Sequence, residues 1–215
     1  IKVITNEFNQ GYTKSVNKAI NYAGSDDILL LNSDTIVSFD WLFQLKITAY
    51  SSTDVGTVTP MSNNAGAFSF PVIHVDNIID NKKPIETLIK SILLHTFRNP
   101  YISLPTSNGF CMYIRRDLIN KIGVFDDKLF PRGYGEENHF CMRAIKAGYQ
   151  NLICPHAYIL HTKTASFQGE KKVLVEQGYN TLLKEFPSYP IKVKKAFNSD
   201  AMNKLRSDVH RAFQD

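Results

Sequence analysis

Apolar residues fall into two recurring patterns along this chain: short unbroken runs and stripes at helical spacing. The run Ile28, Leu29, Leu30, Leu31 ends in the polar residues Asn32, Ser33 and Asp34. An unbroken run of this kind predicts a strand covered on both faces, over residues 28–32. Before it, Val16, Ala19, Ile20 and Ala23 share one face of a helix predicted over 13–23, closed by Gly24. A strand is predicted at 2–5, a helix over 40–50 with Trp41, Leu42 and Leu45 inward, and a strand over 55–60. Residues 62–105 are the least regular stretch: a polar turn at 63–66, another at 80–84 and a helix over 85–94. A strand over 109–114, a helix over 116–122 and a strand over 152–157 follow. Beyond His161 the pattern is helical, with a break at Phe186-Pro187-Ser188-Tyr189-Pro190. Alternating strands and helices predict an α/β fold with a mostly parallel sheet flanked by helices.

Two places in this pattern carry candidate chemistry. Glu136 and Glu137 follow Gly133 and Gly135 and open a helix that buries Phe140, Ala144 and Ala147 and stops at Gly148. A helix start favours negative charge because its free N–H groups and dipole point outward. The acids there suit a general base, and they equally suit plain support of the helix terminus. Asp34 lies at the predicted C-terminal end of a buried strand, where open α/β sheets bind ligands. A carboxylate there can hold a hard cation, or can cap the turn that precedes Phe39 and Trp41.

Taken in order, the segments resemble family 2 inverting glycosyltransferases. Asn9-x-Gly11 with Asn17, Ala19 and Ile20 is similar to the family's "N-x-G" helix. Leu31-Asn-Ser-Asp-Thr35 is similar to its "L-N-x-D-T" form of the DxD motif. Ser107–Arg116 resembles its "G-x-x-x-x-x-R-R" strand, and Ile122-Gly-Val-Phe-Asp126 its "x-G-x-F-D". Gly135-Glu-Glu137 resembles "G-E-D", and Pro155 with His161 the closing "P-x-x-x-x-x-H".

The resemblance implies the GT-A fold of nucleotide-diphospho-sugar transferases over residues 1–166, with a helical extension over 167–215. Ile1–Asn6 resembles the third strand of that family, which implies that the first strands of the domain lie outside this chain. It implies a donor site built from Asn9, Gly11, Asn17, Asn32, Ser33 and Asp34. It also implies a divalent metal, Mn²⁺ or Mg²⁺, held by Asp34 and His161, and an acceptor side at Asn108 and Gly109. His156, five residues from His161, would face the other way on a strand. Glu137 stands where the family has its Asp base, with one more methylene, so Glu136 stays an alternative. Arg143 is expected to pair with an acid. The implied partners are a nucleotide-sugar donor and a glycan or lipid-linked acceptor. The implied setting is bacterial surface polysaccharide assembly in the cytoplasm, with peripheral contact at the inner membrane face.

Composition narrows the picture further. At 215 residues, 43% hydrophobic and 21% charged, the chain is an ordinary globular sequence. No apolar run approaches a membrane span. Cys111, Cys141 and Cys154 show no CxxC spacing, so buried free thiols are expected and a zinc site is not. The net charge of +5 comes from late residues, among them Lys171, Lys172, Lys192, Lys194, Lys195, Lys204, Arg206 and Arg211. That surface suits anionic headgroups or a diphosphate acceptor, or it is a solvated face. No motif or stacking pattern supports nucleic-acid binding. A sugar-phosphate nucleotidyltransferase, a non-catalytic scaffold of the same fold and a retaining glycosyltransferase remain the competing readings.

Overall fold

The computed structural model describes residues 2–77, 84–162 and 168–215. In chain order they form α1 (Tyr12–Tyr22), β1 (Ile28–Leu31), β2 (Thr35–Ile36), α2 (Trp41–Ala49), β3 (Val55–Ser62), α3 (Ile85–Thr96), β4 (Ile102–Leu104) and β5 (Cys111–Ile114). Then come α4 (Arg116–Ile122), α5 (Glu136–Lys146), β6 (Gln150–His161), α6 (Gln168–Glu185), α7 (Tyr189–Phe197) and α8 (Asp200–Gln214). The sheet runs β1-β5-β3-β6-β2, with β4 also on β6. This is the α/β architecture with flanking helices expected from the alternation of elements.

Strand direction refines that expectation, because the sheet is mixed. β3 and β6 pair in parallel. β5 runs antiparallel between β1 and β3. β1, β3 and β6 therefore all point one way, and their C-terminal ends share one edge. β5 starts at that same edge. Residues far apart in sequence thus meet there: the turn after β1, the approach to β5 and the end of β6.

β6 is longer than the expected 152–157 strand. Pro60 faces Cys154, and the next residue, Met61, faces Tyr158. Residues 155–157 are thus extra on β6, a bulge that bends a strand without ending it. His156 sits in the bulge, its ring 5.6 Å from that of Tyr101. His161 lies beyond it, across from Thr35 of β2.

Residues 2–5 do not form the expected strand. They are exposed, with Val3 at 75%. An extended segment becomes a strand only through a neighbour's hydrogen bonds, and none pairs with it among the described residues. Leu42 of α2 is exposed, and Leu45, Thr48 and Ala49 face inward. The turn expected at 80–84 and the boundary expected at 166/167 fall largely outside the described residues. The break at 186–190 separates α6 from α7 as expected.

The main core lies between the sheet and α2, α3 and α8: Leu45, Ile92, Leu205 and Val209 are fully buried in one cluster. A second cluster on the other face joins α1, α4 and α5 through Ile20, Leu118 and Phe140. The three cysteines are buried and free, and burial pushes their thiols up. Part of the late positive charge is neutralised: Lys204 and Arg211 both pair with the buried Asp208. Among the described residues no helix is long and apolar enough to cross a membrane.

α6 crosses the start of α5 at very close range. A Cβ built on Gly178 would lie 1.7 Å from the Tyr134 carbonyl oxygen. Gly178→Ala is therefore expected to lower stability by about 1–3 kcal/mol through forced separation of backbones. In an unobstructed helix alanine would instead raise it by roughly 1 kcal/mol. Urea denaturation of the two chains measures the difference, and a stabilised variant would show that α6 does not rest on Tyr134.

Candidate active site

The loop over 122–135 is held by side chains from helices on either side. Thr13 of α1 donates its hydroxyl to the Phe130 carbonyl at 2.6 Å. Asn17 of α1 clasps Phe125: its amide donates to the carbonyl at 2.8 Å, and its oxygen accepts from the N–H at 3.1 Å. Arg143 of α5 donates to the carbonyls of Ile122 at 2.8 Å and Val124 at 2.5 Å. Arg143 thus pairs with backbone and not with the expected acid, because burying carbonyls requires donors. The loop ends in Gly133 (φ 89°), Tyr134 (φ 65°) and Gly135 (φ 129°). Two of these left-handed positions fall on glycine, which adopts them without strain.

This turn delivers Glu136 and Glu137 to the first turn of α5. Glu136 is 5% exposed. The Oε2 atoms of both glutamates are sealed from solvent and lack a hydrogen-bond partner among the described residues. Burial raises the pKa of Glu136 to about 8, and the charge on Glu137 adds to the rise. Burial raises Glu137 as well, while hydrogen bonds from the backbone and from Glu136 oppose the rise. Both acids are raised, so the proton the site retains belongs to the pair. The Tyr12 phenol is pushed up too, first by burial and then by the negative charge of both glutamates.

The strand ends supply the facing group. His161 Nε2 lies 3.2 Å from Asp34 Oδ1 and 3.4 Å from the Asn32 side-chain nitrogen. His161 Nδ1 lies 2.9 Å from the Asn64 carbonyl oxygen, which can only accept. Nδ1 therefore carries a hydrogen, and in the neutral ring the Nε2 lone pair faces the Asp34 carboxylate. Two electron-rich atoms at that distance hold either a proton or a cation between them, and a carboxylate with an imidazole nitrogen is a donor pair of the kind a divalent cation accepts. An Nδ1–H bonded to a carbonyl is the usual way a ligating histidine is oriented. The described residues contain no cluster of three or more His, Cys, Asp or Glu side chains suited to a metal. Any remaining ligands would come from water or substrate oxygens. The His161 ring also stacks on Phe110, centroids 5.3 Å apart and planes at 21°.

One cleft of about 430 Å³ joins these parts, lined by Asn32, His161, Asn108, Gly109, Glu136 and Glu137, with Tyr12 beside the acids. Asn108 is fully engaged: its amide donates to the Ala65 carbonyl and its oxygen accepts from the Phe110 N–H. It shapes the cleft floor. Ser33 is exposed next to Asp34. Asn9 is also exposed and accepts from the Gly11 N–H, and Gly11 passes under the Pro131 carbonyl. Asn17 points into the 122–135 loop and does not line the cleft. His156 is elsewhere, its pKa lowered by burial. Tyr12, Asn64 and Phe110 were missed in the sequence. The polar pair Asn63-Asn64 directly after an apolar strand was the available signal for one of them.

The folded Glu136 keeps its proton to about pH 8, against about 4.5 for an ordinary glutamate. Between those values the folded chain binds more protons than the unfolded one, so stability falls as pH rises through the window. Glu136→Gln is expected to leave stability unchanged below pH 4.5 and to raise it above pH 8 by roughly 5 kcal/mol. Denaturation at both pH values checks this, and an equal effect at the two would sink the shared proton.

Residues 1–123 match the sequence model of glycosyl transferase family 2, more than half of the chain. The match includes Asp34 and Asn108 and stops before α5. No curated protein sequence matches. The fold superposes on the crystal structure of GalNAc-T7 with UDP, GalNAc and Mn²⁺ with a TM-score of 0.60 at 14% identity, covering 95% of this chain and 42% of that one. It superposes on the mannosyltransferase PcManGT from Pyrobaculum calidifontis, in complex with GDP-Man and Mn²⁺, with a TM-score of 0.58 at 14% identity. That match covers 98% of this chain and 57% of the other. The chain thus spans about half the length of these two proteins, and the likeness at this identity is one of fold.

Proposed function

The chain belongs to glycosyl transferase family 2, and from that premise we propose that it moves a sugar from a nucleoside-diphosphate donor to an acceptor hydroxyl with inversion. The acceptor is a glycan or a lipid-linked glycan. One observation carries the reading. A single cleft is lined at its strand ends by Asn32 and by His161, which contacts Asp34 just outside the lining, and at a helix start by two glutamates with sealed, unpartnered carboxylate oxygens. A single displacement needs these two functions and no side-chain nucleophile.

Asp34 and His161, with Asn32 beside them, would hold a divalent cation, Mn²⁺ or Mg²⁺. When bound, such a cation neutralises the charge that develops on a leaving diphosphate. The remaining chemistry belongs to the acids. Glu137 stands where the resembling motif has its acid and serves as base, with Glu136 beside it sharing the retained proton. The acceptor oxygen forms its bond to the anomeric carbon while the bond to the diphosphate breaks. The hydroxyl proton goes to Glu137, and the diphosphate leaves with the electron pair. Attack opposite the leaving group inverts the anomeric centre. The reacting sugar is placed over Asn108 and Gly109, where the missing side chain of Gly109 keeps the floor low beside the Tyr12 hydroxyl. Ser33, Asn9 and Gly11 stand on the donor side of this reading, with Asn17 holding the loop behind it. The family resemblance supports a place in bacterial surface polysaccharide assembly.

Three variants test the roles. Glu137→Gln is expected to lower turnover by roughly 10²–10⁴-fold with donor affinity kept. Glu136→Gln, which keeps a neutral donor beside Glu137, is expected to stay within about tenfold of the unmodified chain. Asp34→Ala is expected to abolish metal-dependent binding of UDP- or GDP-sugars in calorimetry. A reversed ranking of the two glutamates would move the base to Glu136. Absence of nucleotide binding with either metal would overturn the transferase reading, and NMR of the product's anomeric proton tests inversion.

A further inference from the structure

A second concavity of about 720 Å³ lies between the 128–133 loop and α6. It shares Arg132 and Gly133 with the cleft that holds the glutamates. The two spaces are therefore the two sides of one short loop, and a chain-like ligand can lie in both.

The wall that α6 presents is unusual. Gln177, Thr181 and Lys184, with Asn180, follow the i, i+3, i+4, i+7 spacing of a single helix face. On a helix packed against a protein that stripe is ordinarily apolar. Here the apolar contacts are made by Leu182, fully buried, and by Gly178 against Tyr134. After Leu174, the stripe left facing the groove carries two amides, a hydroxyl and an ammonium, with Gln177, Asn180 and Lys184 exposed, while Leu129, Phe130 and Pro131 give the opposite wall an apolar part. Lys128 brings a further cationic group from the loop side, and among the described residues no acidic side chain lines the groove. Neither Lys128 nor Lys184 has a side-chain partner among the described residues. The volume lies within the range of ordinary ligand sites.

We propose that this groove binds the acceptor as an acidic glycan, one bearing carboxylate groups along its length. The amides and the hydroxyl of α6 meet sugar hydroxyls, and Lys128 and Lys184 meet the acid groups. The proposal rests on the transferase reading for its use of the word acceptor, since the groove leads to Glu137 past Gly133. The binding itself is independent of that chemistry.

The test uses the 215-residue chain, with oligogalacturonate and a maltooligosaccharide of equal length as probes. Calorimetry is expected to show the acidic probe binding at least tenfold more tightly. The double variant Lys128→Glu/Lys184→Glu is expected to lose that preference. The control Lys194→Glu/Lys195→Glu, on exposed positions of α7, is expected to keep it. Circular dichroism confirms that each variant is folded, and Asn180→Ala/Thr181→Ala, which keeps every charge, is expected to weaken both probes. Equal affinity for the two probes, no binding of either, or an equal loss in both lysine pairs would overturn the proposal. Metal-dependent nucleotide binding, measured on the same samples, reports separately on Asp34 and His161. Its absence beside an intact acidic preference would sink the transferase reading alone.

Discussion

The arrangement of the site depends on one constraint: the 122–135 loop has carbonyls to satisfy and little regular structure of its own to satisfy them. Thr13 and Asn17 reach it from α1, and Arg143 reaches it from α5. A buried carbonyl without a donor costs free energy comparable to a lost hydrogen bond, so each of these side chains fixes the loop in one path. α6 adds a steric limit by pressing Gly178 onto Tyr134. His139 of α5 pairs with Glu185 of α6 at 2.9 Å and closes the ring of contacts. The helix start that carries the glutamates is therefore positioned by elements on every side of it.

That rigidity has an electrostatic consequence. Two carboxylates side by side at a sealed helix start cannot both ionise without large repulsion. The N-terminal dipole of α5 favours one negative charge there. Sharing a proton between Glu136 and Glu137 meets both demands, leaving one charge and one neutral donor. At the strand ends the same low-dielectric setting holds a different pairing, a carboxylate against an imidazole whose proton is committed to Asn64. The cleft thus has one end suited to taking a proton and another suited to a cation, and the sheet's common strand direction brings the two together.

Signals that are local in the chain were legible in the sequence. The apolar run into Asn32-Ser33-Asp34 identified a strand end, and paired glycines before paired glutamates identified a helix start with room to turn. Signals that live in partners were not. Arg143 reads as a charge seeking a charge, yet its partners are carbonyls, which no residue type announces. Asn17 reads as a ligand-binding asparagine within a family motif, yet both ends of its amide are taken by Phe125. Strand direction was hidden as well: β5 is an apolar run like β1, and only its reversed insertion between β1 and β3 makes the sheet mixed. The length of β6 was hidden by the bulge: the expected strand stopped at 157, where the bulge ends and pairing with β3 resumes at Tyr158.

The loop geometry also sets how the backbone enters the helix that carries the acids. The carboxylate oxygens of Glu136 lie 3.5 and 3.6 Å from the point a Gly133 Cβ would occupy. A Cβ at 133 would sit in ordinary contact with that carboxylate, so it is the φ of 89°, which excludes most residues, that calls for glycine. Glycine at 133 therefore lets the backbone reverse into α5. The same glycine lines both the cleft and the groove along α6. In this way one residue without a side chain joins the shape of the turn to the continuity of the two spaces.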